Sequence, residues 1–253
     1  MMHADKTVLN SETIWPILKE WAKQYKKQCG NIPAEIIIVG GGSIVLNYEF
    51  RNATMDLDVV LKAASGAKDA ILTVANKYNL PEDWMNNDFE FLSSYSRKIP
   101  QISCYYGTLN YGQIEIRTVK AEYLIAMKMQ SGRTYGNDLS DIVGILYSEK
   151  EKNNEITFSK ILSAGEFLYE NNFKVYSSVM EYVKYCCLMS VEDLKKEYDK
   201  LVNSSEIIKS KIVEISNTEN ISLTKKTAKE LAEQIGLDLL QEVDNSESEI
   251  EHE

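Results

Sequence analysis

The stretch Ile36–Leu61, IIIVGGGSIVLNYEFRNATMDLDVVL, governs how the rest of the chain is read. Ile36-Ile37-Ile38-Val39 is a β-branched apolar run and predicts a buried strand. Gly40, Gly41, Gly42 and Ser43 read as a turn. Ile44 to Phe50 reads as a short buried helix, with apolar side chains at 44, 45, 46, 48 and 50. Arg51-Asn52-Ala53-Thr54 is a polar break, and Met55 to Leu61 is a second strand. Along a strand, residues i and i+2 share a face. Asp56 and Asp58 therefore project together while Leu57 and Val59 point into the core. Two carboxylates on one face repel and resist burial unless a cation lies between them. Mg²⁺ suits this pair, since it takes oxygen ligands and is commonly held by one or two carboxylates plus substrate phosphates; Mn²⁺ is the substitute. The glycine turn opening a helix supplies the complement, a backbone site for an anion.

Gly42-Ser43, twelve further residues, then Asp56-Leu57-Asp58-Val59 resembles the signature of the nucleotidyltransferase superfamily with the polymerase-β-like fold. The resemblance implies an α/β (α+β) fold: a small mixed β-sheet core flanked by helices. It also implies a metal-dependent transfer of a nucleoside monophosphate from a nucleoside triphosphate to an acceptor hydroxyl. Asp56 and Asp58 would then be catalytic metal ligands. Gly41, Gly42, Ser43 and Thr54 would bind the nucleotide.

Composition narrows the alternatives. The chain has 253 residues, 44 % of them hydrophobic, enough for a real core in one large domain or two small ones. No apolar run reaches the length of a membrane span, and the N-terminus lacks a basic start and an apolar h-region; a cytoplasmic protein without membrane partners is expected. The only histidines, His3 and His252, lie near the two ends, which disfavours histidine catalysis and zinc. Cys29, Cys104, Cys186 and Cys187 fit free thiols. Residues Glu242–Glu253 hold six acidic residues and no Lys or Arg, and read as a disordered, solvated tail. Without the tail the body carries 28 basic against 32 acidic residues, which is not the balance of a general nucleic-acid binder.

The remaining elements follow from periodicity. Ser11 is positioned to cap a helix through Ile14, Leu18, Trp21 and Tyr25. Gly66 to Tyr78 reads as an amphipathic helix. Leu80 to Ser96 is irregular, with Trp84, Phe89 and Phe91 packed beneath it. Gln101–Tyr106 and Tyr111–Thr118 read as a hairpin turning at Gly107-Thr108-Leu109-Asn110. Glu115, on the second strand, is a candidate third metal carboxylate by comparison with the superfamily. Equally, it is a surface glutamate paired with Arg117.

Ala121 to Arg133 forms an apolar helix carrying Lys128, and a buried ammonium requires an anion. A further helix from Asn137-Asp138 places Asp138 and Asp141 one turn apart. Leu124-x-Ala126-Met127-Lys128, then Arg133, then Asp138-x-x-Asp141-Ile142 resembles the later motifs of AbiEii-type toxin nucleotidyltransferases. This implies that Lys128 neutralises the triphosphate together with Arg133. Asp138 or Asp141 would supply the following acidic motif, binding metal or orienting Lys128 or Arg133. It also implies a toxin–antitoxin or phage-defence role, with a tRNA end, a protein or a small molecule as acceptor and an antitoxin-like partner. The alternative is a catalytically inactive module that binds a nucleotide or a protein.

Residues 1–150 are thus expected to form the nucleotidyltransferase domain and 151–241 an all-α C-terminal domain, either a substrate platform or a stabilising bundle. Helices are expected over Thr157–Asn171, Val175–Met189, Val191–Val202, Ser205–Ser216 and Leu223–Leu240, and Ser190-x-x-Asp193 reads as a capping box.

Overall fold

The computed structural model describes residues 7–131 and 137–219, with positions 227, 230, 231 and 235 beyond. Expectations for Arg133, most of Leu223–Leu240, the acidic tail, His3 and His252 fall outside the described residues. In chain order the elements are β1 (Leu9–Asn10), α1 (Ile14–Cys29), β2 (Ala34–Ile38), α2 (Gly40–Asn47), β3 (Ala53–Thr54), β4 (Leu57–Lys62), α3 (Ala67–Tyr78) and β5 (Met85–Asn86). Then follow α4 (Ile99–Ile102), β6 (Ser103–Leu109), β7 (Ile114–Val119), α5 (Ala121–Ser131), α6 (Asp138–Glu151), α7 (Phe158–Tyr169), α8 (Ser177–Leu188) and α9 (Val191–Glu219).

The α+β class holds. Five strands form a mixed sheet in the order β5-β4-β2-β7-β6, and β1 pairs with β3 in a separate antiparallel ribbon. β2 lies at the centre, antiparallel to β4 and parallel to β7. Both of its faces are buried, which explains its unbroken apolar sequence. Ile36 and Ile38 pack with α1 and α3, whereas Ile37 and Val39 pack with α5 to α8. This second cluster continues without interruption through Leu168, Cys186 and Leu194. The expected boundary at residue 150 therefore falls inside one hydrophobic core.

Several boundaries differ from expectation, each for a local reason. Thr13, not Ser11, precedes α1. α2 starts at Gly40, so the glycines form its first turn instead of a turn before it. The hairpin turns at Asn110–Gln113, where Asn110, Tyr111 and Gly112 have φ of 51°, 56° and 90°. Gly107 instead lies within β6, where an added Cβ would meet the Trp15 ring at 2.7 Å. Phe89 is buried as expected, but Phe91 is 86 % exposed. The two helices expected over 191–216 are one, because Ser204 Oγ donates to Lys200 O (2.9 Å) and satisfies its hydroxyl inside the helix. Thr157 caps α7 by accepting from the Lys160 amide, and Ser190 likewise accepts from Asp193.

Phe50 ties the loop after α2 to α6 and α9. Its ring lies 5.4 Å from that of Tyr198 on α9 and against Gly144 of α6, where an added Cβ would sit 2.5 Å from the ring. Alanine at 144 would gain about 1 kcal/mol in helix propensity, but overpacking costs about 1–3 kcal/mol where neighbours cannot yield. Gly144→Ala is therefore expected to lower the denaturant midpoint; a raised midpoint would mean that Phe50 moves aside freely.

Candidate active site

The site forms where α2 leaves the sheet. The Val39 amide donates to Asp58 O (2.9 Å), placing Asp58 opposite Val39 and on the same sheet face, towards α5 and α6. Asp58 is in β4, and Asp56 lies in the bend before it; both are partly exposed. Gly40 has φ +54°, and a Cβ there would lie 3.4 Å from Asp58 Oδ2. A Cβ on Gly41 would meet Arg51 Nη2 and Thr54 Oγ1, each at 2.8 Å. The first turn of α2 is thus flanked by a carboxylate on one side and by a guanidinium and a hydroxyl on the other. The amides of that turn have no carbonyl partner inside the helix, so they face this space as donors.

The Cβ direction of Gly42 and the side chain of Ser43 point away from this space. Because α2 begins at Gly40, both turn inward. A Cβ on Gly42 would strike Leu57 (2.7 Å) and Ile38 (2.9 Å). Ser43 is fully buried, and its hydroxyl accepts from the Val119 amide (3.2 Å), joining α2 to β7. The Ser43 hydroxyl is thus engaged inside the core, which leaves only the backbone of this turn to meet a phosphate.

Lys128 and both aspartates of α6 meet beside the turn. Lys128 Nζ lies 2.8 Å from Asp138 Oδ1 and 2.6 Å from Asp141 Oδ2, and its side chain is 9 % exposed. Ser131 Oγ donates to Asp138 Oδ2 (2.7 Å). Asp141 also accepts from Arg51 Nη1, so one carboxylate serves both cations. Arg51 Nε donates to Ala53 O (3.2 Å). Burial alone would make each of these charges costly, and mutual pairing offsets that cost.

Arg51 is the residue that the sequence reading missed. In sequence it reads as part of a polar break, although it is the only cation between the glycines and Leu61. Its placement depends on distant helices: the Tyr198 hydroxyl donates to Phe50 O (2.7 Å). Burial, with Asp141 nearby, raises the Tyr198 phenol above its ordinary value. At the other end of α2, Tyr48 donates to Glu149 of α6 (2.9 Å), and burial with that carboxylate pushes the phenol far up.

Glu115 is not brought to the site. β2 separates β7 from β4, and Glu115 stands four residues before Val119, the residue level with Asp58. That places it ~13 Å along the strand and ~10 Å across it from Asp58. It pairs with Arg117 instead (2.6 Å). Among the described residues no three His, Cys, Asp or Glu side chains form a metal cage. The four cysteines are free, and burial raises Cys186 and Cys187 to about 11.

A family model described as a nucleotidyltransferase of unknown function, DUF6036, matches residues 16–185. The chain belongs to that family. The match runs from α1 into α8 and so includes the glycine turn, the aspartates and the Lys128 cluster, as well as α7 beyond the expected domain boundary. No curated protein and no solved structure matches the chain. Among the described residues no helix is long and apolar enough to cross a membrane.

The ion cluster sets a stability expectation. Removing one member of a buried pair strands its partners and typically costs about 3–5 kcal/mol. Lys128→Met should therefore lower unfolding free energy by about that amount, read by urea denaturation. Restoring charge balance with Asp138→Asn in the same chain should recover part of it. An unchanged midpoint for the single variant would mean that water already screens Lys128.

Proposed function

We propose that this nucleotidyltransferase-family protein is a metal-dependent enzyme moving a nucleoside monophosphate from a nucleoside triphosphate to an acceptor hydroxyl. The observation that carries the reading is the first turn of α2, with Asp58 beside Gly40 and Arg51 and Thr54 beside Gly41. It joins a carboxylate suited to a cation with donors suited to phosphate.

Asp56 and Asp58 would hold Mg²⁺ or Mn²⁺. The donor set fits: two partly exposed carboxylates, completed by water and nucleotide phosphates, suit an ion that rarely sits in an all-protein cage. When bound, the metal supplies Lewis-acid polarisation of the phosphate and a lowered pKa for the acceptor hydroxyl. The chain's own share is orientation. Amides of Gly40, Gly41 and Gly42 donate to phosphate oxygens, Thr54 lines the cradle with a hydroxyl that donates to Asp56 O (3.1 Å) and would turn to a phosphate, and the Lys128–Asp138–Asp141 group fixes the wall beside the turn. Arg133 adjoins this group in sequence and is proposed to join it. Acceptors consistent with the reading are an RNA end such as that of tRNA, a protein hydroxyl or a small molecule.

The spacing of Lys128, Asp138 and Asp141 supports kinship with AbiEii-type toxins, and with it a cytoplasmic defence role alongside an antitoxin-like partner. One observation favours a second reading, a catalytically silent binding module: Glu115 does not reach the aspartates.

Incubation with each labelled nucleoside triphosphate, Mg²⁺ and total RNA or protein separates the two. The enzyme should pass label to one acceptor class, and Asp58→Asn or Asp56→Asn should reduce transfer at least about a hundredfold. Both variants should still unfold in a single cooperative thermal transition, so that the loss is one of transfer and not of folding. Binding of nucleotide with no transfer under any condition would favour the silent module. Unfolding of either variant without metal would make the carboxylates structural.

A further inference from the structure

We propose that Arg51, rather than Lys128, is the cation that meets the polyphosphate tail of the nucleotide, with Lys128 and Asp141 acting as positioning residues behind it. The proposal rests on the nucleotidyltransferase reading of the same site and assigns its charge differently from what the sequence suggested.

Lys128 is poorly placed to serve a ligand. Its ammonium is bonded to two carboxylates at 2.8 and 2.6 Å, and only 9 % of its side chain meets solvent. Drawing it out to a phosphate would break both contacts at once, and pulling a buried ammonium away from its carboxylates is strongly disfavoured.

Arg51 has the opposite arrangement. Two of its nitrogens are anchored: Nε on Ala53 O at 3.2 Å and Nη1 on Asp141. Nη2 has no hydrogen-bond partner among the described residues and lies 2.8 Å from where a Cβ of Gly41 would stand. A planar guanidinium held along one edge presents its remaining donors in a fixed direction, which suits phosphate recognition better than a mobile ammonium. Thr54 Oγ1 reaches the same point at 2.8 Å, and β1 holds Thr54 through its pairing with Leu9. Because residue 41 has no side chain, this cradle stays open beside the first-turn amides. Asp58 lies on the other side of the turn. A polyphosphate crossing the turn would have the carboxylates and their metal at one end and Arg51 at the other.

Asp141 makes the assignment coherent. It is shared by Arg51 and Lys128, while Asp138 bonds Lys128 but not Arg51. Lys128 therefore fixes the carboxylate that aims the guanidinium. Its effect on ligand binding should pass through Arg51 and vanish when Arg51 is gone.

The test measures inorganic tripolyphosphate binding to the full chain by calorimetry, Mn²⁺ binding by electron paramagnetic resonance, and melting temperature. Arg51→Ala should weaken tripolyphosphate about tenfold to a hundredfold, leave Mn²⁺ affinity in place, and be rescued only in part by Arg51→Lys. Lys128→Met should weaken tripolyphosphate in wild type but add nothing in the Arg51→Ala background, a non-additivity expected of residues acting as a unit. If Lys128→Met does not fold, Asp141→Asn, which leaves Asp138 holding Lys128, takes its place in the cycle. Unchanged tripolyphosphate affinity in Arg51→Ala overturns the proposal, and so do losses that simply add. A wild-type chain that binds neither tripolyphosphate nor Mn²⁺ overturns the nucleotidyltransferase reading and this proposal with it.

Discussion

The carboxylate of Asp141 receives Lys128 from α5 and Arg51 from the loop after α2, and the site's geometry depends on that shared bond. Three separate parts of the sequence meet at one oxygen, Oδ2. A buried anion with two cations cannot drift without exposing unpaired charge, so the elements bearing them are held in a fixed relation. The sheet contributes the other half of that relation. Asp58 is aimed by the register of β4 on β2, which the alternation of core residues on β2 enforces, since a one-residue slip would turn Ile37 and Val39 to the wrong helices.

The helices beyond residue 150 belong to the same body. Their apolar residues continue the cluster begun by Ile37 and Val39, and Tyr198 bonds the backbone of Phe50, next to Arg51. A segment that reads in sequence as an appended bundle is thus one wall of the scaffold that positions the Arg51 loop.

Much of this was legible in sequence because it rests on local rules. The apolar run of β2 and the period-2 pattern of β4 announced themselves, and a lone lysine on an apolar helix implied buried anions, which proved to be Asp138 and Asp141. What the sequence concealed depended on rotation or long-range pairing. A four-residue change in where α2 starts, from Ile44 to Gly40, turns the Ser43 side chain inward to bond Val119. The distance of Glu115 from Asp58 depends on strand order, which alternation alone does not specify. Arg51 seemed ordinary because its partner lies 90 residues away. The break expected at Asn203-Ser204 is absent because a serine can satisfy itself by bonding back within a helix.

The bond from Tyr198 to Phe50 also bears on how the protein is made. Synthesis proceeds from the N-terminus, and folding of a growing chain tends to follow that order. The sheet, the glycine turn and both Asp56 and Asp58 leave the ribosome well before α9 does. Until α9 docks, the Arg51 loop lacks its bond from Tyr198, and Phe50 lacks half of its aromatic packing. The architecture therefore delays completion of the site until nearly 200 residues have been translated, so nascent and C-terminally shortened chains carry the conspicuous motifs without the finished geometry.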